Sequence, residues 1–207
     1  MLGAWVAAWS LTRLAQFDSG LGRLQDVTAL LVFGALGAPA VAAAARTAAL
    51  FALAGIRSED APLAFLFSWF GDAVGVLLVT PLLLCLPGRL RGLRLRPAIE
   101  PILLLAAQLA IAAAIFSGYA ERMLHAARLN YFLLPFALVL ALRHSLPFTA
   151  VSNVLLFAFA TAATSLGYGP FAASGTAGGL LQLQLMLSVF ACITLVTNAV
   201  SMERARA

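Results

Sequence analysis

The chain has 207 residues, of which 63% are apolar and only 10% charged, with a mean hydropathy of +1.00. A soluble domain carries roughly 25% charged residues to cover its surface, so a water-soluble fold is excluded. The net charge of +5 comes from thirteen Arg with no Lys, and these cluster at the ends of apolar runs, which points to a membrane surface rather than to nucleic acid.

A spanning helix needs roughly 20 apolar residues, and on that measure the expected fold is all-α, a polytopic integral membrane bundle of six to seven segments forming one domain. In chain order the expected spans lie near 1–14, 27–54, 62–86, 101–118, 130–142, 147–166 and 180–201. The first is short and has neither the charged flank nor the small-residue cleavage site of a signal peptide, so it reads as the tail of a helix that begins further upstream. Asp18 and Ser19 then offer an N-cap to a short interfacial stretch, Leu21 to Val27. The second span would measure about 42 Å as a straight helix against a hydrocarbon core of about 30 Å, so it must tilt or bend. Gly34, Gly37 and Pro39 supply the bend, because Pro39 removes a helix hydrogen bond and small residues let a neighbour reach the freed carbonyl. The fifth span, around Pro135, is short and is expected to extend by snorkelling of Arg128 or Arg143.

If the segments alternate, Arg13, Arg23, the loop bearing Arg89, Arg91, Arg94 and Arg96, then Arg143, Arg204 and Arg206 all fall on one side. Positive residues beside short loops stay inside, so that side, with the C-terminus, is expected to be cytoplasmic. The other side holds Arg57, Arg122 and Arg128, diluted by Glu59, Asp60 and Glu121, with Tyr119, Tyr131 and Tyr168 at its boundary. In the Arg89–Arg96 loop the four Arg are interleaved with Leu, which suits anionic lipid headgroups at about 1 kcal/mol per Arg.

Two ionisable side chains lie well inside apolar runs, Arg46 and Asp72. Each alone would cost roughly 2.5–3.5 kcal/mol at the bilayer centre. Counted from the outer end they are about 12 and 15 Å deep on antiparallel neighbours, so they should pair, either as a static lock on helix register or as a polar switch or ligand contact. Gly71 and Gly75 form a small-xxx-small face expected to serve close helix packing, and Trp69 beside them reads either as plain packing, the commoner role of a helical Trp, or as the cap of a polar cavity there. In the last span Gln184, Ser188 and Asn198 share about one helix face, read as interhelical hydrogen bonding or a polar path, with Gln184 joining the candidate site.

No catalytic set, metal site or cofactor site emerges. His125 and His144 fall on opposite sides of the membrane, and neither H-E-x-x-H nor G-x-S-x-G occurs. Cys85 and Cys192 lie within apolar runs as small hydrophobes. The Gly167–Gly179 loop lacks the Lys and following Ser or Thr of a phosphate-binding loop and reads as a flexible connector.

A set of ordered motifs spans nearly the whole chain: Leu2-Gly3-Ala4-Trp5 with Arg13-Leu14, Leu24-Gln25-Asp26-Val27, the run Trp69-Phe70-Gly71-Asp72-Ala73-Val74-Gly75-Val76-Leu77 with Pro81, then Gly169-Pro170-Phe171, Leu183-Gln184 and Glu203-Arg204. Together they resemble the bacterial membrane-associated sensor domain of the first class. The resemblance implies a multi-helix signal-input module of the kind commonly joined at its C-terminus to histidine kinase, PAS or diguanylate cyclase regions. Against that pattern two or more helices are missing ahead of Met1 and the chain stops where an output domain begins, so a fragment of a longer receptor and a small accessory subunit both fit. Three functions are therefore carried forward: a membrane input module, a non-catalytic structural subunit of a membrane complex, and a transporter fragment, with the lipid bilayer and either another membrane protein or further copies of this chain as the expected partners. A transporter would show internal repeats and paired interrupted helices. The interrupted segments here are adjacent and no repeat is visible.

Overall fold

The computed structural model describes residues 21, 23–55, 57–89, 99–117, 132–172 and 176–206. The expected first span 1–14, the Asp18 and Ser19 cap, the loop residues Arg91, Arg94 and Arg96, Tyr119, Glu121, Arg122, His125, Arg128 and Tyr131 lie outside the described residues. Among the described residues there are six helices and no strand. They are α1 (24–54), α2 (Ala61–Arg89), α3 (Ile99–Phe116), α4 (Leu133–Arg143), α5 (Leu146–Ser165) and α6 (Thr176–Arg206). Five are long and apolar enough to cross a membrane, and Leu133–Arg143 is a shorter apolar helix. The chain is a helical membrane bundle of about six segments.

The expected interfacial stretch Leu21–Val27 is not a separate element. Leu21 is non-helical with φ +46°, and a helix that starts at Leu24 continues without a break through the second span. The reason is that Val27, Ala29 and Leu30 are buried, so this turn packs inside the bundle instead of lying on headgroups. The expected bend is a change of helix type. Leu30–Gly37 is π-helical, with the Ala38 N–H donating to Phe33 O, before α-helix resumes over Ala38–Ala49. A wide turn accommodates a proline that has no N–H to give. A second wide stretch, Leu50–Ala54, ends α1 at Gly55, whose φ of +61° only a glycine adopts readily.

The helices pack in three layers along the bundle. Near the Arg-rich end, Val27 and Leu30 of α1 meet Leu146, Leu195 and Ala199, with Leu84 and Cys85 of α2 against them. In the middle, Ala35 of α1 and Val74, Leu77 and Leu78 of α2 pack on Ala191 of α6. At the opposite end Phe116, Leu133, Leu156, Leu183 and Phe190 join α3, α4, α5 and α6, with Phe171 of the following turn packed against them. There Gly167 and Gly169 turn the chain with φ of +83° and +88°, and Gly179 sits against the Phe171 carbonyl. The expected flexible connector therefore ends earlier than Gly179, which lies inside α6; its residues 173–175 are outside the described ones.

Polar side chains stitch these layers. Ser152 Oγ donates to Gln108 Oε1 at 2.7 Å, tying α5 to α3, and Asn153 Nδ2 donates to Thr194 Oγ1 at 2.8 Å, tying α5 to α6. All four residues are buried. In an apolar bundle each such bond is worth about 0.6–2 kcal/mol and fixes which helix faces which.

Candidate functional site

α1 and α2 cross at Gly34, where an added Cβ would press on Leu30 of its own helix and Val76 of α2. The two helices stay packed together beyond that point, and an open groove of about 460 Å³ runs along their seam, lined by Gly34, Ala38 and Ala42 of α1 and Gly71, Asp72 and Gly75 of α2. The Arg46 Nη2 donates to Asp72 Oδ2 across it. Their side chains are not sealed in the core, however: Arg46 is 51% and Asp72 38% exposed. The pair lies about 12 Å from the α1 end and about 16 Å from the start of α2, at the depth of the hydrocarbon and on the outer face of the bundle.

Gly71 and Gly75 line the groove, and a Cβ at either position would meet no atom of the described residues within 4 Å, so neither is pressed against a helix of this chain there. Of the two readings of Trp69, the geometry fits packing. Its indole N–H donates to the Leu36 carbonyl at 3.0 Å, inside the π-helical stretch, and its ring lies near Phe65 and Phe70. It is a strut from α2 to the bend of α1, and it does not line the groove. Gln184 lies on α6 and does not line the groove either; its carbonyl accepts from Ser188 Oγ within the helix. The structure thus brings together Arg46, Gly71, Asp72 and Gly75, braces them with Trp69, and leaves Gln184 apart.

At the Arg-rich end the α6 terminus is bound to two other helices. Asn198 Nδ2 donates to the carbonyls of Ala141 and His144, each at 2.9 Å, and Ser201 Oγ donates to Leu142 O at 3.1 Å. These satisfy carbonyls at the end of α4 that the helix itself leaves free. The Leu24 N–H, at the start of α1, donates to Glu203 Oε1 at 2.8 Å, a carboxylate set at a helix N-terminus where the dipole favours it. Beside them Arg143 Nη1 pairs with Glu100 Oε1 at 3.3 Å, and His144 Nε2 is 3.7 Å from the same oxygen. The helix ends carrying Arg23, Arg143 and Arg204 therefore gather at one end of the bundle. Leu24 and Glu203 were visible as motif residues far apart in the chain, but nothing in the sequence signalled that one caps the other.

No group of three or more His, Cys, Asp or Glu residues that would hold a metal exists among the described residues. A second hollow of about 460 Å³, lined by Phe116, Phe159, Leu166 and Tyr168, opens at the other end between α3 and α5 and is almost wholly apolar. What the described residues offer is a charge pair and a helix-end clamp joined by one helix.

No curated protein and no solved structure matches the chain. The profile of the family described as MASE1 matches residues 1–205, which takes in both the groove and the α6 clamp, and the chain belongs to this family of membrane-associated sensor domains.

Proposed function

We propose that the chain is the signal-input domain of a bacterial inner-membrane protein, with the Arg-rich end and the C-terminus in the cytoplasm, and that it passes a change at the Arg46–Asp72 groove to an output region through α6. One observation carries the reading. α1 holds Arg46 against Asp72 in its outer half, and the N–H at its other end bonds Glu203 on the last turns of α6. These two contacts are 22 residues, about 33 Å, apart on one helix, so displacing α1 at the groove must either move the α6 end or be absorbed in the bend. The π-helical stretch between them, held by Trp69, is the place where such a displacement would be absorbed or passed on.

Supporting the orientation is the Arg asymmetry, which now includes the gathered helix ends. The Arg89, Arg91, Arg94 and Arg96 segment would then rest on anionic headgroups of the inner leaflet. α6 is the sole covalent route from the bundle to anything that follows Ala207 in the chain, so transmission as a rigid helix has a direct test. In the protein joined in frame to a kinase or cyclase catalytic region, inserting one to four residues after Ser201 rotates that region by about 100° per residue. Output activity should rise and fall with the helical period. Activity indifferent to all four insertions would count against helical transmission and leave the structural-subunit reading.

A further inference from the structure

We infer that the α1–α2 groove is the interface between two copies of this chain, in which Arg46 of each copy bonds Asp72 of the other. Three features require an occupant and choose it. First, Arg46 and Asp72 are half-exposed at a depth where lipid tails surround them. Hydrocarbon solvates neither charge, so the groove is filled most favourably by something that brings polar groups to that depth. An acyl chain does not.

Second, Gly71 and Gly75 expose backbone to the groove with open space where a side chain would be. Glycine in a helix interior costs about 1 kcal/mol relative to alanine, and no contact among the described residues explains it here. Bare backbone on an outward face admits the close approach of another helix. The adjoining face of α1 matches it, with Val41, Ala44, Ala45 and Ala48 all exposed.

Third, the two charges lie at nearly the same depth on neighbouring helices. A two-fold axis along the membrane normal preserves depth, so it sets Arg46 of one copy level with Asp72 of the other, and the reverse. A parallel copy in the same membrane always presents the complementary charge at the required level. Arg46 engages Asp72 through Nη2, and its guanidinium carries further N–H donors, so it can hold the Asp72 of its own chain and that of the partner together.

The test is performed on the full chain in lipid nanodiscs or liposomes, with Cys85 and Cys192 replaced by Ala and association read by single-molecule photobleaching. The wild-type chain should form dimers, and Gly71→Cys should cross-link within them. Gly75→Leu, whose Cβ meets no described atom within 4 Å and whose side chain enters the open groove, should lower the association constant about tenfold or more while the helix content and melting temperature of the monomer stay unchanged. Arg46→Leu and Asp72→Asn should each weaken association, and mixing the two variants should partly restore it, because the mixed dimer regains one interchain pair. That rescue separates a bond between chains from one within a chain. A monomeric wild type, dimers that ignore Gly75→Leu, or a mixture no better than its components would each overturn the inference. None of these outcomes depends on whether the domain senses anything.

Discussion

At the residue scale the main actors are two charges and four glycines. Arg46 and Asp72 were legible as partners because isolated charges in apolar runs are expensive and helical rise gave them equal depth. Their exposure was not legible, since the hydropathy of a span does not say which face looks inward. That exposure lowers the expected coupling, which should fall between the 0.2–1 kcal/mol of surface pairs and the roughly 3–5 kcal/mol lost on breaking a buried one. Melting temperatures in detergent of Arg46→Leu, Asp72→Asn and the double variant should show the double variant recovering part of the loss; strict additivity would falsify the pairing. The glycines divide by what surrounds them. Gly169 has φ +88° and packs on the Phe116 ring, and Gly179 faces the Phe171 carbonyl, so Gly169→Ala and Gly179→Ala should each destabilise the fold by about 1–3 kcal/mol. Gly71→Ala meets nothing among the described residues within 4 Å and should leave monomer stability unchanged or raise it by up to about 1 kcal/mol. Equal effects at Gly71 and Gly179 would contradict the assignment of the groove as outward-facing.

At the element scale, apolar run length located α1, α2, α3, α5 and α6 to within a few residues at most ends, because a bilayer fixes helix length. An irregularity at Gly34, Gly37 and Pro39 was readable from the missing proline donor, whereas its form as a π-helical stretch, beside which α2 packs through Val76 and Trp69, was not. Less legible were the bonds that select helix neighbours. Gln108, Ser152, Asn153 and Thr194 pair across three helices, and a single sequence gives no means of matching donors to acceptors on different spans. Asn198 is the strongest such case, with two carbonyls of the α4 end on one amide. Asn198→Leu removes both bonds and leaves buried carbonyls unpaired, and should lower stability by about 1–3 kcal/mol. Calorimetry or a detergent melt would check this, with Trp69→Phe, which loses one bond to Leu36 but keeps most of its ring, expected at about 1 kcal/mol.

On the scale of the whole molecule, six helices return the chain to the end from which Leu24 starts, and the Arg residues of Arg23, Arg143 and Arg204 gather there with Glu203 and Glu100. The charge pattern anticipated this gathering; the lock between the first and last described helices it did not. With Cys85 and Cys192 replaced, a Cys at Ser58 should react with an impermeant reagent added to cells whose outer membrane has been permeabilised, and a Cys at Arg94 should not. The reverse pattern would invert the topology. The central claim, that α1 links the Arg46–Asp72 groove to the α6 terminus, is tested most directly by disulfide formation in membranes between Gln25→Cys and Arg204→Cys, which flank the Leu24–Glu203 bond. Adding Asp72→Asn should change the cross-linking rate severalfold by releasing the far end of α1, and an unchanged rate would mean that the groove and the output end of the domain move independently.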